Sequence, residues 1–293
     1  MELILNGVYT ALVTPFRDGG IDEVALAKLI EDQIAAGITG LVAVGTTGES
    51  PTLDHPENLR VIELAVKAAR GRVPVVAGTG SNSTAEAIEL SQGAEKAGAD
   101  ALLLVAPYYN KPSPEGLFAH FAAIARAVGI PIILYSIPGR CGIEIGVETV
   151  ARLAAACPNI VAIKESGGSV DRVSQLRQVL PEAFAIFSGD DGLTLPFLSV
   201  GAVGVISVAS HLVPKEMVEL VRLFRGGKVA EAEGLHRRLH ALFRDLFIEA
   251  NPVPVKAALA RQGWMTDEVR LPLAPLTEGS RAKLEKTLLA FGL

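Results

Sequence analysis

Eight times along the chain a short apolar run, closed by Gly, Pro, Ser or Thr, gives way to a longer segment in which Ala, Leu and Ile recur at helical spacing among charges. The spacing predicts strands at 8–13, 40–44, 73–77, 101–105, 130–135, 160–164, 185–187 and 204–207. Helices are predicted between them, such as 22–36, 56–69 and 84–97. The strands are apolar throughout rather than alternating, as expected of a parallel sheet covered on its outside by helices. AAGITG and KAGAD each place a glycine between a helix end and a strand start, where the chain needs a left-handed cap. The class is α/β, and eight units favour a closed (β/α)8 TIM barrel over an open doubly wound sheet, which periodicity alone does not eliminate.

After about Arg225 the rhythm changes. KVAEAEGLHRRLHALFRDLF reads as one amphipathic helix, and NPVPVKAALARQG and EGSRAKLEKTLLAF as two more, the first entered through prolines that suit a helix start. The expected organisation is a catalytic barrel over 1–225 and a C-terminal helical region over 226–293.

With 293 residues, 49% hydrophobic and 20% charged, the chain can bury one large core with a modest appendage. A net charge of -5 without long charge runs offers no attraction to nucleic acid or an anionic membrane, so the expected partners are small molecules. Cys141 and Cys157 form no CxxC or Cys/His cluster, which fits a reducing compartment. The start lacks a basic, then apolar, leader, and later apolar runs are broken before they would span a bilayer. The expectation is a cytoplasmic protein.

In such a barrel the active site is built where the strands end, so the informative residues lie in GTTGES, PYYN, YSIPGR, IKES, SGDD and GVISVAS. Alternation along VAIKE puts Ala162 and Lys164 on one face and Glu165 on the other, leaving Lys164 without an obvious carboxylate. Burial favours the free base of an amine, the form that attacks a carbonyl; the bland alternative is a strand-end lysine that snorkels to solvent. GTTGES offers backbone N–H groups and two hydroxyls to a carboxylate, or else is a tight turn tied down by its own threonines. Tyr135 shares a face with Ile133 and serves either proton transfer or packing. Tyr108 and Tyr109, being adjacent, cannot face the same way, so one of them suits an interface. Arg140, in a loop after Pro138-Gly139, suits two-point binding of a carboxylate, or an ordinary surface ion pair. Asp190 and Asp191 lack the neighbours of a metal site and are expected to cap the following helix, so no metal is predicted.

Taken together, GTTGES at 45–50, YYN at 108–110, YSIPGR at 135–140, IKES at 163–166 and GVISV at 204–208 resemble the dihydrodipicolinate synthase family, of the N-acetylneuraminate lyase or class I pyruvate aldolase superfamily. NPVPVK at 251–256 and RLPLAPL at 270–276 extend the resemblance to the C-terminal region. The resemblance implies a Schiff base between Lys164 and pyruvate, condensation with aspartate semialdehyde on the diaminopimelate route to lysine, and no cofactor. It implies a proton relay of Tyr135, Thr46 and Tyr109, the last lent to a neighbouring subunit. Thr47 matches the holder of the pyruvate carboxylate and Arg140 the receiver of the semialdehyde carboxylate, while Gly189 and the Ile206 carbonyl line the pocket. A homotetramer built as a dimer of dimers is implied, as is an allosteric lysine pocket at Ser50, His55, Asn82, Glu86 and Tyr108.

The chain departs from the family at Ser136 for Asn and at Cys141 for Thr, so loop five is expected to be held by different hydrogen bonds. Pro51 and Asn58 stand where other residues are common around the allosteric pocket, which predicts weak or partial inhibition by lysine. The rival within the superfamily is N-acetylneuraminate lyase or a keto-deoxy sugar acid aldolase. Arg140 argues against both, because a polyhydroxylated chain calls for neutral hydrogen-bonding groups instead. A rival of another class is a barrel that binds keto acids without turnover.

Overall fold

The computed structural model describes residues 3–293. Eight parallel strands close into a barrel in which sequence neighbours are also hydrogen-bonded neighbours: β1 Gly7–Ala11, β2 Gly40–Ala43, β3 Val75–Gly78, β4 Ala101–Val105, β5 Ile132–Ser136, β6 Ile160–Glu165, β7 Ala185–Ser188 and β8 Gly204–Ser207. β8 returns to pair with β1, so no sheet edge is left and the fold is a TIM barrel rather than an open sheet.

The helices that follow the strands are α1 Glu23–Ala35, α2 His55–Ala69, α3 Thr84–Lys96, α4 Pro114–Ala127, a short turn α5 Pro138–Cys141, α6 Val147–Ala156, α7 Val170–Val179, α8 Thr194–Leu198 and α9 Pro214–Arg225. Their starts are written in the sequence. Asp54 and Glu57 form a reciprocal capping box on α2, and Ser83, Ser113 and Ser169 cap α3, α4 and α7. Each such cap contributes about 1 kcal/mol. Gly37 and Gly98 take positive φ, +87° and +90°, as the turns from helix to strand require.

Alternation divides the core in two. Val42, Val76, Leu103, Ile133, Ala162, Phe187 and Ile206 fill the barrel, while Leu104, Leu134, Ile163, Ile186 and Val205 face the helices. Both faces of the strands are therefore apolar, which is why they read as unbroken hydrophobic runs. β3 and β5 begin later than the sequence suggests, after Pro74 and Pro131. A short antiparallel ribbon of Phe16–Arg17 with Gly20–Ile21 was not anticipated. Beyond the barrel lie α10 Val229–Asp245, α11 Val253–Arg261 and α12 Glu278–Ala290. Among the described residues no helix is long and apolar enough to cross a membrane.

Candidate active site

Lys164 lies near the carboxyl end of β6, where alternation turns it inward with Ala162. Glu165 faces the other way and is fully buried, with Arg172 Nε donating to it at 2.8 Å and the Gly167 amide at 2.6 Å. Burial pushes the Glu165 carboxyl up, and Arg172 opposes that shift. Lys164 is thus left without its sequence neighbour, as the strand parity predicts. Its residue is only 6% exposed, and its nitrogen sits 4.2 Å from the centroid of the Tyr135 ring. The two are partners across β5 and β6. Room for the lysine side chain comes from Gly189: a Cβ there would stand 2.8 Å from Lys164 Cε and 1.8 Å from Ser166 Oγ.

A cavity of about 330 Å³ opens at this end of the barrel, lined by Thr46, Tyr108, Tyr135, Arg140 and Cys141 among others. Lys164 is not on its wall; it meets the cavity through Tyr135, which is. Ile206 fills the barrel interior and is likewise absent from the lining. The rim next to Thr46 is conformationally tense. Val44 and Glu49 bracket the 45–48 turn with φ of +49° and +55°, values that side chains other than glycine adopt at a cost.

The 45–50 loop presents hydroxyls more than amides. Its Gly48 and Ser50 amides bond to the Gly45 carbonyl and its Glu49 amide to the Thr46 carbonyl, so those three N–H groups are spent within the turn. Thr47 is buried, and its Oγ1 accepts from Asn251 Nδ2 at 3.0 Å. Because the oxygen accepts there, the hydroxyl proton is available to an anionic ligand. The Asn251 carbonyl in turn accepts from Arg140 Nη2 at 2.9 Å. Asn251 therefore links the residues expected to hold the two substrate carboxylates, and its buried Oδ1 has no hydrogen-bond partner among the described residues. In the sequence Asn251 opens the NPVPVK stretch of the C-terminal region. Its 204-residue separation from Thr47 leaves no local signal of this role.

Arg140 is found on the helical turn α5 rather than in an open loop. Ser136 is buried and its hydroxyl accepts from the Ile145 amide at 3.4 Å, while burial pushes the neighbouring Cys141 thiol up to about 11. Tyr109 is not brought to the cavity by this chain: it is 89% exposed, with φ of +71°. Of the expected allosteric set, Ser50 and Tyr108 line the cavity, and Asn110 Nδ2 donates to the Asn82 carbonyl at 2.9 Å. Glu86 accepts from Ser81 at 2.8 Å, and His55 opens α2. Asp190 caps the turn that follows it through the Gly192 amide. Asp191 does not share that role; it is buried and accepts from the Ser207 hydroxyl and the Val208 and Ala209 amides, tying β7 to β8.

Among the described residues no group of three His, Cys, Asp or Glu side chains is arranged to hold a metal ion. A family model described as the dihydrodipicolinate synthetase family matches residues 4–291. A 4-hydroxy-tetrahydrodipicolinate synthase of Pelobacter propionicus is 51% identical over 290 residues, covering 99% of this chain and all of the relative. The solved structure of the enzyme of that name from Methylacidiphilum fumariolicum is 58% identical, with a TM-score of 0.97 over 98% of this chain and 95% of the other. A dihydrodipicolinate synthase of Cyanidioschyzon merolae with lysine bound is 42% identical, with a TM-score of 0.97 over the whole of both chains.

Proposed function

Since the chain belongs to the dihydrodipicolinate synthetase family, we propose that it condenses pyruvate with L-aspartate 4-semialdehyde to give 4-hydroxy-tetrahydrodipicolinate on the diaminopimelate route to lysine. The observation that carries this reading is the buried amine of Lys164 against the Tyr135 ring, beside a cavity that also holds Thr46 and Arg140.

Lys164 Nζ attacks the keto carbon of pyruvate and, with loss of water, forms an iminium that serves as an electron sink. The methyl group then gives up a proton, and the enamine carbon attacks the aldehyde. The amino group of the semialdehyde displaces Lys164 by transimination, closing the ring and freeing the enzyme. Tyr135 and Thr46 carry protons at the mouth of the site. Thr47 donates its hydroxyl to the pyruvate carboxylate, Arg140 binds the semialdehyde carboxylate, and Gly189 and the Ile206 carbonyl complete the pocket.

Tyr109 finds no place in the cavity of its own chain, which supports its transfer to a second copy and hence a dimer, with a homotetramer as a pair of such dimers. Lysine is assigned as a weak feedback ligand at Ser50, His55, Asn82, Glu86 and Tyr108, and the compartment is the cytoplasm. The same reading takes 1–225 as the catalytic barrel and 226–293 as its helical supplement.

The decisive experiment is incubation with pyruvate, borohydride reduction and mass mapping, run beside turnover of aspartate semialdehyde and cleavage of sialic acid and keto-deoxygluconate. A label on Lys164 with semialdehyde turnover is expected; an unlabelled Lys164 overturns the reading. Initial rates with millimolar lysine test the feedback site, and light scattering of Tyr109→Phe and the parent protein tests the assembly.

A further inference from the structure

Lys256, on α11, is fully buried and donates to Glu49, which is fully buried as well. The same ammonium donates to the Glu268 carbonyl at 2.8 Å and lies 4.1 Å from the centroid of the Phe16 ring. The second carboxylate oxygen of Glu49 accepts from the Arg270 amide at 3.1 Å. Both oxygens of one loop carboxylate are thus fixed by the C-terminal region, from 207 and 221 residues away.

We infer that this ion pair is a positioning device for the reaction proposed above, on which it rests: Lys256 and Glu49 set where the 45–50 loop presents Thr46 and Thr47 to pyruvate. Glu49 sits in left-handed backbone, a conformation that persists in a residue other than glycine only where its surroundings over-determine it. The bonds to Lys256 and Arg270 supply that constraint from outside the turn. Two residues earlier the same C-terminal region reaches the loop a second time, through Asn251 and the Thr47 hydroxyl. Neither Lys256 nor Glu49 lines the cavity, so their influence on substrate passes through the loop.

Replacing a buried ion pair by uncharged residues of similar volume is often neutral for stability, and a glutamine at 49 keeps an acceptor for the Arg270 amide. What the uncharged pair would lack is direction, because hydrogen-bonded charges fix the angle of approach and methyl groups do not. Stability and positioning can therefore be separated. Replacing both partners, Glu49→Gln with Lys256→Met, removes the pair without leaving a buried charge alone. Lys256→Met by itself strands the Glu49 carboxylate. Thr287→Val supplies the control: it removes a 2.6 Å bond to Asp245 between α10 and α12, far in sequence from the loop.

For each protein the pyruvate concentration giving half-maximal borohydride labelling of Lys164 is measured alongside the thermal midpoint. The neutral double variant is expected to keep a midpoint near that of the parent yet to require about tenfold more pyruvate, a loss of binding without loss of fold. Thr287→Val is expected to lower the midpoint and leave the pyruvate requirement unchanged. Should Lys256→Met fail to fold, the double variant decides alone. A folded double variant that labels at the parent's pyruvate concentration overturns the inference. An unlabelled parent protein overturns the reaction itself, a separate and distinguishable result.

Discussion

The side-chain nitrogen of Lys164 stands 4.2 Å from the centre of the Tyr135 ring, and the two residues face each other across adjacent parallel strands. The ring lies against the buried amine, and Tyr135 is also one of the residues that line the cavity. Packing against the amine and the proton transfer proposed for Tyr135 call on different parts of the side chain, so they can be tested apart.

Tyr135→Phe keeps the ring against Lys164 and removes only the hydroxyl. The variant is expected to fold and to be labelled by pyruvate and borohydride, while turnover falls by about 100-fold or more, as loss of a general acid–base group does. Steady-state rates together with the labelling assay check this; turnover near that of the parent would remove Tyr135 from the relay.

Gly189→Ala forces a methyl group to within 2.8 Å of Lys164 Cε and 1.8 Å of Ser166 Oγ. Lys164 and Ser166 must both move, at a cost of about 1–3 kcal/mol for overpacking. The expected result is a lower thermal midpoint and a slowed rate of pyruvate labelling at Lys164. Unchanged labelling kinetics would show that the lysine needs no such room.

Arg140 spends one donor on the Asn251 carbonyl, and it is also one of the residues that line the cavity. Arg140→Ala is expected to raise KM for aspartate semialdehyde by about 10- to 100-fold, the equivalent of a charge-assisted hydrogen bond. Pyruvate labelling should be unaffected. A rise in the pyruvate requirement instead would assign Arg140 to the first substrate.

Acid stability follows from buried titrating groups. Burial holds His120 and His211 down to about 4, against an ordinary value of 6.5. Between those values the unfolded chain takes up protons that the folded chain refuses, so stability falls as pH drops from about 6.5 towards 4. Asp191, pushed up to about 6 by burial, acts in the opposite sense from about 6 down to 3.8. Burial also moves His236 down, in the sense of the two histidines, and Glu165 up, in the sense of Asp191, so three imidazoles oppose two carboxyls and acidification brings a net loss. His120→Asn retains a partner for Thr84 and cannot titrate, so its thermal midpoint should fall less between pH 7 and pH 5 than the parent's, by the equivalent of about 2 kcal/mol. Equal falls would show that His120 does not stay neutral.

Much of the barrel was legible in the chain because its determinants are local. A parallel strand covered on both faces reads as an apolar run, a capped helix announces its start, and side-chain parity along VAIKE sends Lys164 inward and Glu165 outward without reference to anything distant. Prolines shifted the starts of β3 and β5, and the short ribbon at Phe16–Ile21 carries too few residues to show a period.

What the tertiary structure alone decided is how the C-terminal region meets the catalytic face. Asn251 reaches Thr47 and Arg140, and Lys256 reaches Glu49, across more than 100 residues of chain. A hydrogen bond between distant segments depends on where two independently formed elements come to rest. Propensity and periodicity describe each element by itself, so they locate the amine and the loop but not the contacts that join them.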